Sequence, residues 1–249
     1  MTGEPPSPAI RLLLLRHGQV PHHRADVAPT DLGMAQSDAA GRWFAEQAID
    51  IAALLSGETR RTIDTANGFA AGARAGGAAV PDPEVSFALR NPDLYLGGHR
   101  VNLGEGAAFL AGQVPAMTEA DVEASPFFAG FMGAPDRIGY WLEHPNPPGE
   151  DAESVGRRID AFARSLADVP ALAGRTVVAI THSPVLRAVR HHHWADYSRE
   201  PPFLHGYALT LGPEGGLTLD GFATETGDLP PTSRPGAGLI TDTTKQEPV

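Results

Sequence analysis

The sequence predicts an α/β protein, a three-layer α/β/α sandwich around a mostly parallel central sheet. Three observations carry this prediction. Residues 10–15, 51–55 and 176–181 are short apolar runs of the kind that form strands buried on both faces. Each run leads, directly or through a short loop, into a segment whose apolar residues recur at helical spacing. Strands that alternate with helices give a largely parallel sheet with helices on both sides.

The elements follow in order. Residues 1–9 are Pro-rich and read as a flexible lead-in. The strand at 10–15 is broken only by Arg11 and ends at Arg16-His17-Gly18. Residues 33–47 place Ala35, Ala39 and Trp43 four apart, with Ala40 and Phe44 beside them, which makes one helix face. The second strand, 51–55, passes through Ser56-Gly57 into a helix expected to run to Ala71, and 72–84 read as loop. Residues 85–150 are irregular, with helical stretches near 119–132 and 136–143. They read as an insertion over the core, a natural substrate lid. Tyr140, Trp141, Phe127, Phe128 and Phe131 are expected to form its packed face.

Residues 153–168 form a third helix, with Val155, Ile159, Phe162, Ala163 and Leu166 on one side. The strand at 176–181 ends at His182, and Ser183 with Pro184 reads as an N-cap and first helical residue. Residues 207–211 and 217–222 alternate around Gly-Pro-Glu-Gly-Gly, which suggests a hairpin at the sheet edge. From residue 224 to 249 the chain is rich in Thr, Pro and Gly and reads as a disordered tail. The folded domain is therefore expected to span 10–223.

Composition excludes several function classes. With 19 Lys and Arg against 30 Asp and Glu the chain carries a formal charge of −11, which disfavours phosphate-backbone binding to nucleic acid. It has no cysteine, which removes disulfides, thiolate catalysis and Cys-based zinc sites. No early signal pattern and no membrane-length apolar run are present, so the cytoplasm is the expected location. A homo-oligomer is compatible with the sequence.

Chemistry gathers at three predicted strand ends. His17 follows a buried strand, and Gly18 would let the backbone approach a ligand closely. Ser56 to Ala66, SGETRRTIDTA, opens a helix at which a guanidinium can clamp phosphate oxygens in a fork. His182 precedes the free N–H groups of another helix start, a seat for an anion. The histidine runs His22-His23 and His191-His192-His193 are a poor chelate, because consecutive side chains on a helix diverge; no metal site and no cofactor are expected.

In their order, these motifs resemble the histidine phosphatase superfamily (phosphoglycerate mutase-like, branch 1 type) over most of residues 10–222. LLLLRHGQ matches the signature strand and loop. Thr30, Gly33 and Gln36 match T-x-x-G-x-x-Q. SGETRRTIDTA matches S-x-x-x-x-R-x-x-x-T-A, and THSPVLRAV matches the second-histidine motif. Gly149-Glu150 with Arg158 resembles the G-E-S…R helix start, with Asp151 in place of serine.

The resemblance implies His17 as nucleophile, with Arg16, Arg61 and His182 stabilising the transferred phosphoryl group. Gly18, Gln19, Ser183 and Glu105 would contact substrate. Arg60 could take the arginine's place in a register one residue shorter, but only Arg61 aligns Thr65-Ala66. The family's usual acid, a glutamate, corresponds to Asn91, which cannot donate a proton as an acid. Asp93 is the first substitute and Glu105 the second. The implied function is phosphomonoester hydrolysis of a small phosphorylated metabolite through a phosphohistidine. The alternatives are phosphoglycerate mutase-type transfer and a catalytically weak phosphate-binding or regulatory module on the same fold.

Overall fold

The computed structural model describes residues 10–23, 25–103, 106–196, 200–212 and 214–224. A six-stranded sheet lies at its centre. Its strands are β1 (Ile10–Arg16), β2 (Ile51–Ser56), β3 (Glu84–Val85), β6 (Thr176–Thr181), β7 (Gly206–Leu211) and β8 (Leu217–Phe222), in spatial order β3-β2-β6-β1-β7-β8. The pairs β1–β6, β2–β6 and β2–β3 are parallel; β1–β7 and β7–β8 are antiparallel. The expected hairpin is therefore present, with β8 on the edge.

Helices cover both faces. On one side lie α1 (Asp31–Glu46) and α2 (Arg60–Ala75); on the other lie α7 (Ala152–Ala167) and α8 (Ser183–Trp194). Strand β1 shows why both layers are needed. Leu13 and Leu15 pack with Phe44 and Phe69 beneath α1 and α2, while Leu12 and Leu14 face Val155, Ile159 and Val185. All four leucines are fully buried. Each contributes about 1.5–3 kcal/mol of burial, and the alternation forces one helical layer onto each side.

The insertion is more regular than its sequence suggests. It holds a hairpin of β4 (Leu94–Leu96) and β5 (His99–Val101), then α3 (Ala107–Ala111), α4 (Glu119–Ala124), α5 (Pro126–Gly133) and α6 (Arg137–Glu143). The helix expected over 119–132 is two helices. Ser125, extended before Pro126, breaks it, and Thr118 starts α4 with a reciprocal capping box to Asp121. Trp141 is fully buried and donates its Nε1–H to the Glu150 carbonyl at 2.9 Å, which ties the insertion to the start of α7.

Two boundaries move. Helix α2 continues to Ala75, four residues beyond the expected end. Thr224, placed in the tail by composition, is buried and donates its hydroxyl to the Leu204 carbonyl at 3.2 Å. Residues 1–9 and 225–249, read from sequence as flexible ends, lie outside the described residues. Among the described residues no helix is long and apolar enough to cross a membrane.

Candidate functional site

Strand register builds the site. Arg16 pairs with Thr181 across the parallel β1–β6 ladder, so the next residues on each strand, His17 and His182, leave the sheet side by side. Their rings meet edge to face with centroids 5.7 Å apart. The His17 N–H donates to the Thr181 carbonyl at 3.0 Å, and the Gly57 N–H after β2 donates to the Ile180 carbonyl at 3.0 Å. Three strand ends thus converge at the carboxyl edge of the sheet, the position at which open α/β sheets hold ligands.

The Gly18 N–H donates to Thr65 Oγ1 at 2.9 Å, and Thr65 in turn donates to the Arg61 carbonyl at 2.6 Å. The T-x-x-G-x-x-Q motif is scaffolding for this loop. Thr30 caps α1, Gln36 accepts the Gln19 N–H at 3.2 Å, and a Cβ on Gly33 would lie 2.2 Å from the Gln19 carbonyl. Gln19 is itself tied down, because Thr30 donates to its side-chain oxygen at 2.8 Å. Gln19 thus supports the loop, and its substrate contact is the less direct part of the expectation.

His17 is buried, and its Nδ1 lies 2.8 Å from the Gly18 carbonyl. A carbonyl only accepts, so Nδ1 carries the proton and Nε2 keeps a lone pair. Burial pushes the imidazole well below its ordinary pKa, the Arg61 and Arg16 charges push it further, and the Gly18 contact opposes them only in part. His182 is lowered well below its ordinary value too, by burial first and then by Arg61, His17, His23 and Arg158. Both rings are therefore neutral at pH 7.

Among the described residues, several buried polar atoms here have no protein partner: Arg61 Nε, both ring nitrogens of His182, and the Ser183 hydroxyl. Buried polar atoms of this kind cost about 1–3 kcal/mol each when left unmade. Their concentration at one strand edge marks a place shaped for a polar ligand. Arg61 is buried and only loosely paired, with Asp26 at 3.9 Å, whereas the Arg60 side chain is 67% exposed and pairs with Asp64 on its own helix. The register that aligns Thr65-Ala66 is thus the one that turns an arginine inward. A cleft of about 300 Å³ opens above Arg61, lined also by Asp26, Glu58, Thr59, Asn102 and Leu103.

Other expectations change. Ser183 does not cap α8; His182 holds the extended cap position, and Ser183 is the first helical residue. The Arg16 guanidinium is engaged from behind. Its Nη1 donates to the Pro201 carbonyl at 2.9 Å, Nη2 pairs with Glu200 at 3.0 Å, and its face lies 4.2 Å from the centre of the Phe203 ring. Among the described residues, only Nε lacks a protein partner. The loop that holds it includes Leu204 in left-handed backbone (φ 59°), a conformation of about 1–2 kcal/mol for a non-glycine residue.

Asp93 is enclosed by cations. Arg90 Nη2 lies 2.6 Å from its carboxylate, and Arg100 Nε pairs with the other oxygen. Burial alone would raise the carboxyl, but these two guanidiniums outweigh it and hold it below the usual carboxylate range. That is the reverse of what a proton donor needs. Glu105, the second choice, lies outside the described residues. Asn91 is buried, and its Oδ1 has no hydrogen-bond partner among the described residues.

Arg158 was noted in sequence only as part of a motif. It emerges from α7, donates Nη2 to the Arg90 carbonyl at 3.0 Å, pairs with Glu150 at 3.2 Å, and contributes to the field at His182. Burial, only partly offset by Glu150, pushes it down to about 10. A helical arginine eight residues after a Gly-Glu pair carries no signal that distinguishes it from a solvated one. Glu58 and Asp26 at the cleft were equally silent, since carboxylates near a helix start are common.

Comparison with known proteins agrees with this geometry. Residues 12–84 match the model of the histidine phosphatase superfamily (branch 1). No curated protein matched the chain. Among solved structures, a mycobacterial glucosyl-3-phosphoglycerate phosphatase is similar at TM-score 0.56 and 20% identity, covering 86% of this chain and 99% of its own. A phosphoglycerate mutase from Bacillus anthracis str. Sterne is similar at TM-score 0.55 and 16% identity, with coverage of 87% and 93%. A phosphoserine phosphatase from Entamoeba histolytica, solved with phosphoserine, is similar at TM-score 0.54 and 13% identity, with coverage of 87% and 98%. At these identities the structures speak to the fold, which is phosphoglycerate mutase-like. The segment that holds His17 and Arg61, residues 12–84, is the part of the chain that matches the histidine phosphatase superfamily (branch 1).

Proposed function

We propose that the protein hydrolyses a small phosphomonoester through a phosphohistidine at His17. One observation carries the reading: a neutral, buried His17 with Nε2 unprotonated stands beside donors that have no protein partner. The Nε2 lone pair attacks phosphorus, and the bond from phosphorus to the leaving oxygen breaks. Arg61, His182 and the free Arg16 Nε–H hold the equatorial oxygens as charge spreads over them. Water then attacks phosphorus, the P–N bond breaks with its electron pair returning to His17 Nε2, and orthophosphate leaves carrying the water's oxygen and one of its hydrogens, while the other passes to solvent as a proton. Gly18 and Ser183 border the phosphoryl seat, and the 85–150 insertion acts as the wall that selects the organic part of the substrate.

The weak point is the proton for the leaving alcohol. Asn91 has none to give as an acid, and Asp93 is held ionised by Arg90 and Arg100. This favours a second reading, a phosphate-binding module with slow turnover, for substrates whose leaving group needs protonation. Phosphate release from para-nitrophenyl phosphate and from sugar and glycerate phosphates, in EDTA, separates the two. Release by wild type that vanishes in His17→Ala supports hydrolysis. Binding of phosphate without release from any ester supports the module, and full activity in His17→Ala overturns the phosphohistidine.

A further inference from the structure

The face between α7 and α8, at the far end of α8 from His182, carries a cluster that phosphoryl transfer does not use. Asp160 on α7 sits between two histidines of α8. Its Oδ2 lies 3.3 Å from His192 Nε2, and its Oδ1 lies 2.8 Å from His193 Nε2. One donor atom from each of the three residues falls within 4.8 Å of the others. The consecutive histidines diverge here as the sequence expects, yet both reach one carboxylate. Neighbours on a helix differ by about 100°, and a single carboxylate placed between them meets both.

Two features suggest a built site. The Glu153 carboxylate accepts from His192 Nδ1 at 2.8 Å, the carboxylate–histidine arrangement that fixes a ring's tautomer and leaves the other nitrogen for a metal. Residues 153, 156 and 160 share one face of α7, and Gly156 supplies the hollow for the imidazole: a Cβ there would lie 2.5 Å from His192 Cβ. The side chains of His192, His193 and Asp160 are 20%, 14% and 16% exposed, which leaves solvent a path to the donors.

We propose that Asp160, His192 and His193 bind a first-row divalent cation, Zn²⁺ in particular, with solvent completing the shell and Glu153 orienting His192. Two neutral imidazoles and a carboxylate suit Zn²⁺ and disfavour Mg²⁺ and Ca²⁺, which prefer oxygen-only shells. Two carboxylates at the cluster also balance the ion's charge. The site lies about 15 Å along α8 from His182. It is a structural clamp between the helices that carry Arg158 and His182, not part of the reaction.

The test uses untagged full-length protein, stripped with chelator and titrated with ZnCl₂ by calorimetry. The expected result is one Zn²⁺ per chain, with a thermal midpoint that rises as Zn²⁺ is added. Asp160→Asn and His193→Ala each weaken binding by at least about tenfold, and Glu153→Ala by about tenfold through loss of the orienting contact. Co²⁺ in place of Zn²⁺ gives visible absorption of a four-coordinate N/O site in wild type, lost in Asp160→Asn. Should His193→Ala fail to fold, Glu153→Ala, altered at a half-exposed side chain, decides the matter. No binding by wild type, or affinity unchanged in Asp160→Asn and Glu153→Ala, overturns the proposal and leaves the cluster as imidazole–carboxylate hydrogen bonding alone.

Discussion

Two clusters of charge lie side by side at the sheet edge, and they differ in what their donors touch. Around His17, Arg61 and His182 keep buried nitrogens without partners among the described residues. Next to it, Arg90 and Arg100 are closed on Asp93, Glu150 and Glu58, while Arg158 pairs with Glu150 but leaves its Nε without a hydrogen-bond partner among the described residues. The second cluster has more arginines, yet the charges of Arg90 and Arg100 are met within the protein. Availability of donors, and not the number of cations, is what favours the proposed anion seat at His17 over the Arg90–Arg100 network.

The contrast can be broken most directly at its centre. His17→Ala should lower phosphate release by about 10⁴-fold or more, because no other group replaces the covalent step. Circular dichroism and phosphate binding should show the fold retained. Arg61→Ala should cost about 10²–10³-fold in kcat, the scale of losing one transition-state donor. Steady-state kinetics on an aryl phosphate checks this, and a loss confined to KM would place Arg61 in ground-state binding instead.

Acidity sharpens the same contrast. A nucleophilic imidazole works only when neutral, so the rate should stay flat as pH falls from 7 past the ordinary histidine value of about 6.5. It should then drop about tenfold per unit once the depressed His17 value is passed. Arg61→Ala removes a charge that lowers His17, so its acid limb should move to higher pH. Stability follows with a definite sign. His17 and His182 have folded values below their unfolded ones, so the unfolded chain binds more protons and stability is lost as pH falls below about 6.5. Urea denaturation across pH 5–8 reads this directly.

The closed cluster should behave differently. Asp93→Asn should lower stability by about 1–2 kcal/mol, less than the loss of a deeply buried pair because solvent reaches this edge. It should slow aryl and alkyl esters by the same factor. A selective loss on alkyl esters would restore Asp93 as the proton donor. The smallest effect is expected behind the site. Glu200→Gln frees the Arg16 guanidinium from its carboxylate and should tighten inhibition by inorganic phosphate about two- to fivefold, as expected for a partly exposed pair.

Much of this was legible in the sequence, for reasons specific to each element. Strands β1, β2 and β6 are buried on both faces, so their apolar runs were continuous, and the residues that end them could be found without a structure. The Arg60 or Arg61 choice was settled in sequence by Thr65-Ala66, and the helix turns Arg61 inward for the same reason. The insertion was less readable because its elements are short and are held by long-range contacts, such as Trp141 on the Glu150 carbonyl and the Leu94–Gly149 bridge. Partner choice was not readable at all. Nothing near Arg16 in sequence announces Glu200, and nothing near Asp93 announces that Arg100 would return to it through a hairpin. Asp93 therefore looked like a free acid, and His192 and His193 looked like diverging neighbours.

The most direct measurement mixes wild type with a ³²P-labelled phosphomonoester, quenches within milliseconds into base, and maps the label by mass spectrometry. A base-stable, acid-labile phosphoryl group is expected on the peptide containing His17, and is expected to be absent from His17→Ala. Phosphate release at a rate that exceeds the appearance of label, or label on another residue that persists in His17→Ala, would contradict it.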